Sequence, residues 1–315
     1  MNCVKVTAAA RLHLGFLDLH GGLGRRFGSI GLAVDAFATT LTLRPAQAFS
    51  AHGLEAERSA ALAQRIAGHL GLETRRRLEV MSAIPSHSGL GSGTQLALAI
   101  GAAFRRLADL PLDARADAQM LERGARSGVG AALFERGGIV VDAGRGASDR
   151  TPPVVANLAF PGDWRVILML DPRETGVHGA EERRAFEQLP EFAENQAAEI
   201  CRATLMQILP GVAESDLAAF GEGVARVQAL VGDHFAPAQG GGRFTSKAVG
   251  RVAEQLKALG AQGVGQSSWG PTGFGFVADA DQGEFIVRRL ARDAEAGVEI
   301  KLAQVLDRGA LIETL

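Results

Sequence analysis

The chain has 315 residues, 47% hydrophobic and 22% charged, with a formal net charge of -2. Such a length suits two compact domains, and the near-neutral balance gives no global attraction for nucleic acid or an anionic membrane, which leaves small molecules or a second copy of the chain as expected partners. Cys3 and Cys201 lie far apart without a metal-ligand spacing, no apolar run approaches a membrane span, and Met1–Ala10 lacks the marks of a signal peptide, so a cytoplasmic location is expected.

Val4 to Ala9 reads as a strand that ends in Arg11-Leu12-His13-Leu14-Gly15. A glycine-rich turn, Gly21-Gly22-Leu23-Gly24, follows, and Ile30 to Leu43 is apolar and β-branched enough for one or two strands. Leu54 to Leu70 has helical spacing and stops at Gly71, a glycine C-cap. Arg77 to Ile84 alternates as a strand and Pro85 ends it. After a glycine-rich turn, Gln95 to Leu107 reads as a buried helix, Asp113 to Arg123 as another, and Gly138 to Asp142 as a short buried strand.

The Gly-, Pro- and polar-rich stretch Gly144–Pro161 is the expected boundary, dividing the chain into 1–157 and 158–315. Beyond it come a strand at Arg165–Leu170, helices around Ala180–Gln188, Glu191–Leu209 and Glu214–Leu230, and then Gly240-Gly241-Gly242. A helix near Ser246–Leu259, strands at Val264–Ser267 and Gly273–Val277, a helix at Asp281–Ala294 and a last strand at Glu299–Gln304 complete the pattern. Strands and helices mix without strict βαβ repetition, which predicts an α+β fold.

The most informative segment is Pro85-Ser86-His87-Ser88-Gly89-Leu90-Gly91-Ser92-Gly93-Thr94. A strand, a glycine turn and a buried helix make an anion cradle, because converging backbone N–H groups and the helix N-terminus both favour negative charge. Ser88, Ser92 and Thr94 add hydroxyl donors. The competing reading is a tight turn whose glycines serve only backbone geometry. The spacing fits neither a Walker A loop nor the dinucleotide-binding fingerprint.

The segment resembles the phosphate loop of the galactokinase, homoserine kinase, mevalonate kinase and phosphomevalonate kinase (GHMP) superfamily, Pro-x-x-x-Gly-Leu-Gly-Ser-Ser-Ala, with Pro85, Gly89, Leu90, Gly91 and Ser92 in register. Arg126-Ser127-Gly128-Val129-Gly130 resembles its second-half segment, and Ser268-Trp269-Gly270-Pro271-Thr272-Gly273 occupies the place of its C-terminal glycine loop. The resemblance implies an N-terminal domain like the second domain of ribosomal protein S5 and a ferredoxin-like C-terminal domain. Where kinases of the group carry a catalytic Asp and a second loop serine that helps hold magnesium, this chain has Gly130 and Gly93. Both departures point away from ATP chemistry.

A narrower resemblance accounts for them. Arg11–Leu19, Leu23–Gly31, Gly89–Gln95, Arg126–Gly130 and Phe134–Gly138 are similar to the β-ribofuranosylaminobenzene 5'-phosphate synthase family. That implies joining phosphoribosyl pyrophosphate to 4-aminobenzoate for methanopterin biosynthesis, with loss of carbon dioxide and pyrophosphate. It also implies magnesium, no organic cofactor and a homodimer. An ATP-dependent small-molecule kinase of the superfamily is the alternative, and a non-catalytic binder of phosphorylated ligands a third reading.

Within this resemblance Asp18, Arg25 and Arg26 are the expected catalytic residues, against a solvated turn with surface charges. Arg11, His13, His87, Ser88, Gly89, Gly91, Ser92, Gly93, Thr94, Arg126, Ser127, Lys247, Ser268, Trp269 and Thr272 are the expected substrate- and phosphate-binding residues, with no metal ligand assigned. His13 and His87 read equally well as structural histidines. Trp269 either stacks on the aromatic acceptor or packs between domains. Arg173, Glu174, Thr175 and His178 follow a strand end, where a helix start is the plainer reading, as a capped flexible loop is for Thr245, Ser246 and Lys247.

Overall fold

The alternation Val4, Val6, Ala8, Ala10, Leu12 puts one face of the first strand wholly into the interior. In the computed structural model, which describes residues 3–147, 150–177, 179–293 and 297–315, this strand does not stop at Ala9. It runs as β1 from Val4 to Asp18, paired antiparallel with β2 (Phe27–Pro45) across two irregularities, at Ala9/Ala10 and His13/Gly15. These irregularities let the pairing continue past Ala9 as far as Asp18.

The first sheet has seven strands. β3 (Ser50–Gly53), β4 (Arg76–Ser82), β5 (Ile139–Asp142) and β6 (Val154–Leu158) join it, and β11 (Leu311–Thr314) returns from the chain end to pair with β1. β3, β6 and β11 have no counterpart among the predicted elements; β3 and β11 are four residues each with no apolar alternation, and β6, though apolar, lies inside the Gly- and Pro-rich stretch read as the boundary. Helices α1 (Ala56–Leu70), α2 (Ser92–Leu107), α3 (Ala114–Met120) and α4 (Val129–Glu135) accompany this sheet. Gly71 closes α1 in the left-handed conformation, φ 65°, as the sequence predicts. Leu96 to Phe104 of α2 is buried without interruption, and Arg105 at its end is neutralised by Asp117 at 2.7 Å.

The second sheet is ordered β10-β7-β9-β8, built from β7 (Arg165–Leu170), β8 (Gln262–Gln266), β9 (Thr272–Val277) and β10 (Glu299–Ala303). With the intervening helices this is the antiparallel order of a ferredoxin-like domain. α9 (Lys247–Ala258) and α10 (Ala280–Asp293) cover one face around Ile167, Met169, Leu256 and Ile286. α8 (Leu217–Phe235) covers the other. Before it, α5 (Gly179–Gln188), α6 (Glu194–Ala203) and α7 (Leu209–Ala213) form a helical insertion. The single helix expected over Glu191–Leu209 is interrupted by a π-type turn at Thr204–Ile208, just ahead of Pro210, which has no N–H to donate.

One cluster fuses the halves: Leu12, Leu14, Ile30 and Leu32 pack with Val166, Leu168, Phe220, Val224 and Phe276. Gln228 on α8 ties them further, donating to the Leu14 carbonyl at 2.6 Å and accepting from the Gln266 N–H at 2.7 Å. Gly15, φ 142°, lies where a Cβ would press on Val227 of α8, so glycine is what lets that helix approach β1. Among the described residues no helix is long and apolar enough to cross a membrane.

Candidate active site

The glycine turn predicted to cradle an anion does lead into a helix. Gly91, φ 77°, is the N-cap of α2, Gly89 has φ 84°, and His87 itself sits at φ 57°. The first N–H groups of a helix lack the usual intrahelical partners, and although Thr94 N–H donates to the Gly91 carbonyl at 3.1 Å, those of Ser92 and Gly93 are available to an anion. Three other segments fix the loop. Arg11 N–H donates to the Leu90 carbonyl at 2.9 Å, and Gly176 N–H to that of His87 at 2.9 Å. Ser267 Oγ donates to the Gly89 carbonyl at 2.8 Å and accepts from His13 N–H at 3.0 Å.

A cleft of about 340 Å³ opens over the loop between the two domains, a volume within the usual range for small-ligand sites. Its walls include Arg58, His87, Arg123, Glu182, Ser268 and Trp269. Arg58 and Arg123 reach the loop at Gly93: a Cβ there would overlap Arg58 Nη2 and lie 3.7 Å from Arg123 Nη1. Arg11 approaches from beneath, its Nε 3.3 Å from the Cβ position of Gly91. Burial lowers the Arg11 guanidinium to about 10, against the raising effect of Glu182 and Asp142. Its Nε and Nη1 are buried with no protein partner. On the far side Arg126 pairs with Glu182 at 2.6 Å and lies 4.8 Å over the Phe186 ring.

Trp269 belongs to an aromatic wall beside this charge. It stacks on Phe186 at 4.8 Å, meets Phe235 edge-on at 4.6 Å, and its buried Nε1 has no protein acceptor. His13 is buried, edge-on to Phe16 at 4.7 Å, with Nε2 unpartnered. Burial first, then Arg11 and Arg126, hold it well below the usual histidine range, so at neutral pH it is an uncharged ring.

Residues 56–138 match the family described as GHMP kinases N terminal domain, and residues 208–296 match GHMP kinases C terminal. A beta-ribofuranosylphenol 5'-phosphate synthase from Archaeoglobus fulgidus is 32% identical over 98% of this chain and 99% of its own. The chain belongs to that synthase family. A second synthase of that name, from Methanothermobacter thermautotrophicus, is 30% identical over 84% of this chain and 86% of its own. Among solved structures, the L. major mevalonate kinase with R-mevalonate shares the fold at TM-score 0.72 and 16% identity, covering 97% of this chain and 96% of that one. This member of the family is a pentosyltransferase-type enzyme on a GHMP kinase fold, as the sequence resemblance implied.

Within the synthase, the predicted residues fall into distinct places. His87, Gly89, Gly91, Ser92, Gly93, Thr94, Ser268 and Trp269 line the cleft together. Ser88 is buried and donates to the Pro85 carbonyl at 2.7 Å, which shapes the turn. Thr272 is buried with Oγ1 unpartnered. Ser127 donates to Asp142 at 3.3 Å. Lys247 is exposed on the first turn of α9, behind Ser246, which caps that helix and donates to Asp171 at 2.7 Å. Arg173 also pairs with Asp171, at 2.8 Å, and His178 lies outside the described residues.

Asp18, Arg25 and Arg26 knit the β1–β2 turn. Asp18 Oδ1 accepts from the N–H groups of His20 and Gly21, both at 2.8 Å. Arg25 donates to the carbonyls of Ala143 and Gly144, both at 2.7 Å, and Arg26 to that of Leu19 at 2.9 Å, with its head 5.5 Å over Phe27. None of the three lines the cleft over the phosphate loop.

Sequence reading missed Arg58, Arg123, Glu182 and Asp142. Asp142 is fully buried at the end of β5, where its carboxylate accepts from Gly128 N–H at 2.9 Å, Gly144 N–H at 2.8 Å and Ser127 Oγ. It thereby orients both the Arg126–Gly130 segment and the loop that Arg25 holds. Burial raises its carboxyl from 3.8 to about 6, against the lowering pull of those hydrogen bonds. The folded state thus keeps this proton more tightly than the unfolded chain. The associated stability is complete below pH 3.8 and lost as pH rises through about 6, an effect on the order of 2–3 kcal/mol. Urea unfolding of wild type and Asp142→Asn at about pH 4 and about pH 7.5 checks this, since the variant should lose that part of the pH slope. Identical slopes would contradict it.

Proposed function

We propose that the chain transfers the 5-phosphoribosyl group of phosphoribosyl pyrophosphate to 4-aminobenzoate, with loss of pyrophosphate and carbon dioxide, in methanopterin biosynthesis. One observation beyond family membership carries this reading: among the described residues, the wall opposite the phosphate loop offers no unpaired carboxylate. Gly130 presents only backbone, with Thr94 Cγ2 3.1 Å from where its Cβ would be. Glu182 is paired with Arg126, and Asp142 is sequestered under three donors. A kinase-type acceptor hydroxyl would have to lose a proton, whereas this reaction asks for none.

The bond from the ribose anomeric carbon to pyrophosphate breaks with both electrons leaving on pyrophosphate. The ring carbon bearing the carboxylate supplies the pair for the new carbon–carbon bond. Carbon dioxide then departs, and the electrons of the broken bond restore aromaticity. Arginines and helix N–H groups hold the leaving group, and the aromatic wall of Phe186, Phe235 and Trp269 excludes water from the cationic sugar.

Among the described residues no group of three His, Cys, Asp or Glu could cage a metal unaided. The donor set instead suits a magnesium ion arriving on pyrophosphate oxygens, with Glu182 and the Ser92 hydroxyl as protein oxygens at hand. Bound there, the ion would neutralise charge on the leaving pyrophosphate.

Carboxyl-labelled 4-aminobenzoate, phosphoribosyl pyrophosphate, magnesium and the purified protein should release labelled carbon dioxide in step with a ribosylated arylamine. ATP consumption with a hydroxylated acceptor and no carbon dioxide would replace this reading with a kinase. The phenol in the relatives' name favours a second acceptor, 4-hydroxybenzoate, by the same chemistry. Direct competition of the two acids ranks them.

A further inference from the structure

We propose that Arg58, admitted to the phosphate loop by the missing side chain at position 93, grips a pyrophosphate group there, with Arg123 behind it. The assignment rests on the ribosyl-transfer reading and adds to it the residues that distinguish a pyrophosphate from a single phosphate.

Gly93 is the second residue of α2, in the turn whose N–H groups face the cleft. The space its side chain would fill is taken: a Cβ would overlap Arg58 Nη2 and stand 3.4 Å from Arg58 Cζ. Arg58 does not drift there. Its Nη1 is anchored by Glu55 Oε2 at 3.4 Å, and the other oxygen of Glu55 is held by Ser86 Oγ at 2.6 Å. The guanidinium thus bridges from the start of α1 to the start of α2 with one edge still facing the cleft.

Arg123 arrives from the end of the α3 region, with Nε buried and unpartnered. Burial, then the charges of Arg58 and Arg65, work against its positive form, and Glu122 is the opposing acid. Like charges gathered beside helix N–H groups are unfavourable in the free protein and favourable once a multivalent anion sits among them. Two planar forks beside a helix end match two linked phosphates better than one, since each fork can take two oxygens of a different phosphate.

The test uses the full-length protein and inorganic pyrophosphate in magnesium buffer, read by titration calorimetry, with inorganic phosphate as comparator. Pyrophosphate should bind the wild type more tightly than phosphate does. Arg58→Ala should weaken it about ten- to a hundredfold, the range for hydrogen bonds to charged groups, and Arg58→Lys should recover only part. Gly93→Ala adds a Cβ at a helical position that favours alanine, so it tests the space without endangering the fold, and it should weaken binding about tenfold. Arg58→Ala/Gly93→Ala should be no weaker than Arg58→Ala alone, because both changes remove the same guanidinium from the loop. Unchanged affinity in Arg58→Ala and Gly93→Ala, additive losses, or equal binding of phosphate would overturn the proposal. Ribosyl transfer assayed in parallel separates the two readings. Normal transfer by Arg58→Ala defeats this inference alone, whereas Arg58-dependent pyrophosphate binding without any transfer upholds it and defeats the synthase reading.

Discussion

Arg11→Met is expected to lower kcat/KM by about 10²- to 10³-fold, the usual loss when one preorganised cationic donor is removed from a developing charge, without lowering stability. Arg11 lacks acceptors where a buried cation needs them. Its backbone is fixed by Leu90 and its stem lies against Gly91, but Nε and Nη1 are buried with no protein acceptor. Glu182 and Asp142 offset the charge through space without bonding to those nitrogens. A buried, half-satisfied guanidinium is a cost that a fold retains for a ligand, not for packing. Methionine keeps the stem and its contacts while removing the charge. Thermal unfolding of the variant should therefore match or exceed that of wild type, as activity collapses. The opposite pattern, a loss of about 3 kcal/mol in stability with kinetics that follow only the folded fraction, would make Arg11 a structural counter-ion for Glu182 and Asp142.

How much of this was open to sequence reading depends on how local each signal is. Gly71 capping α1, the glycines before α2 and the strand Arg165–Leu170 are set by neighbours within a few residues, so pattern alone finds them. β11 is four polar or half-exposed residues whose partner, β1, begins the chain, and nothing near Leu311 encodes that pairing. The same division runs through the site. The phosphate loop is contiguous and legible. Arg58, Arg123 and Glu182 converge on it from three helical regions, and each reads in its own segment as an ordinary exposed charge. Asp142 looks like the polar end of a short strand, and only the fold shows the three donors converging on it. Asp18, Arg25 and Arg26 stand out by resemblance, yet their side chains hold backbone of the β1–β2 turn and its neighbouring loop. Their influence on catalysis would run through the Asp142 region, which Arg25 and Asp142 brace from opposite sides.

Gly270→Ala should disrupt both fold and site, costing about 1–3 kcal/mol by overpacking and about 10²-fold in kcat/KM by misplacing the cradle. Its backbone needs no special conformation; the constraint is space. A Cβ on Gly270 would overlap Gly89 N and Ser88 O, so the phosphate loop and the C-terminal loop touch backbone to backbone. Neither atom belongs to a flexible side chain that could swing aside. Relief requires the loops to part, and that pulls on the Ser267–Gly89 hydrogen bond and on Val177 N–H, which donates to the Trp269 carbonyl at 3.2 Å. Trp269 would shift against Phe186, so its fluorescence offers a readout independent of turnover. Gly162→Ala is the matched control, since a Cβ there meets nothing within 4 Å. If Gly270→Ala melts and turns over like Gly162→Ala, the two loops can separate without consequence, and the close approach of the domains at Gly89 is not what shapes the cradle.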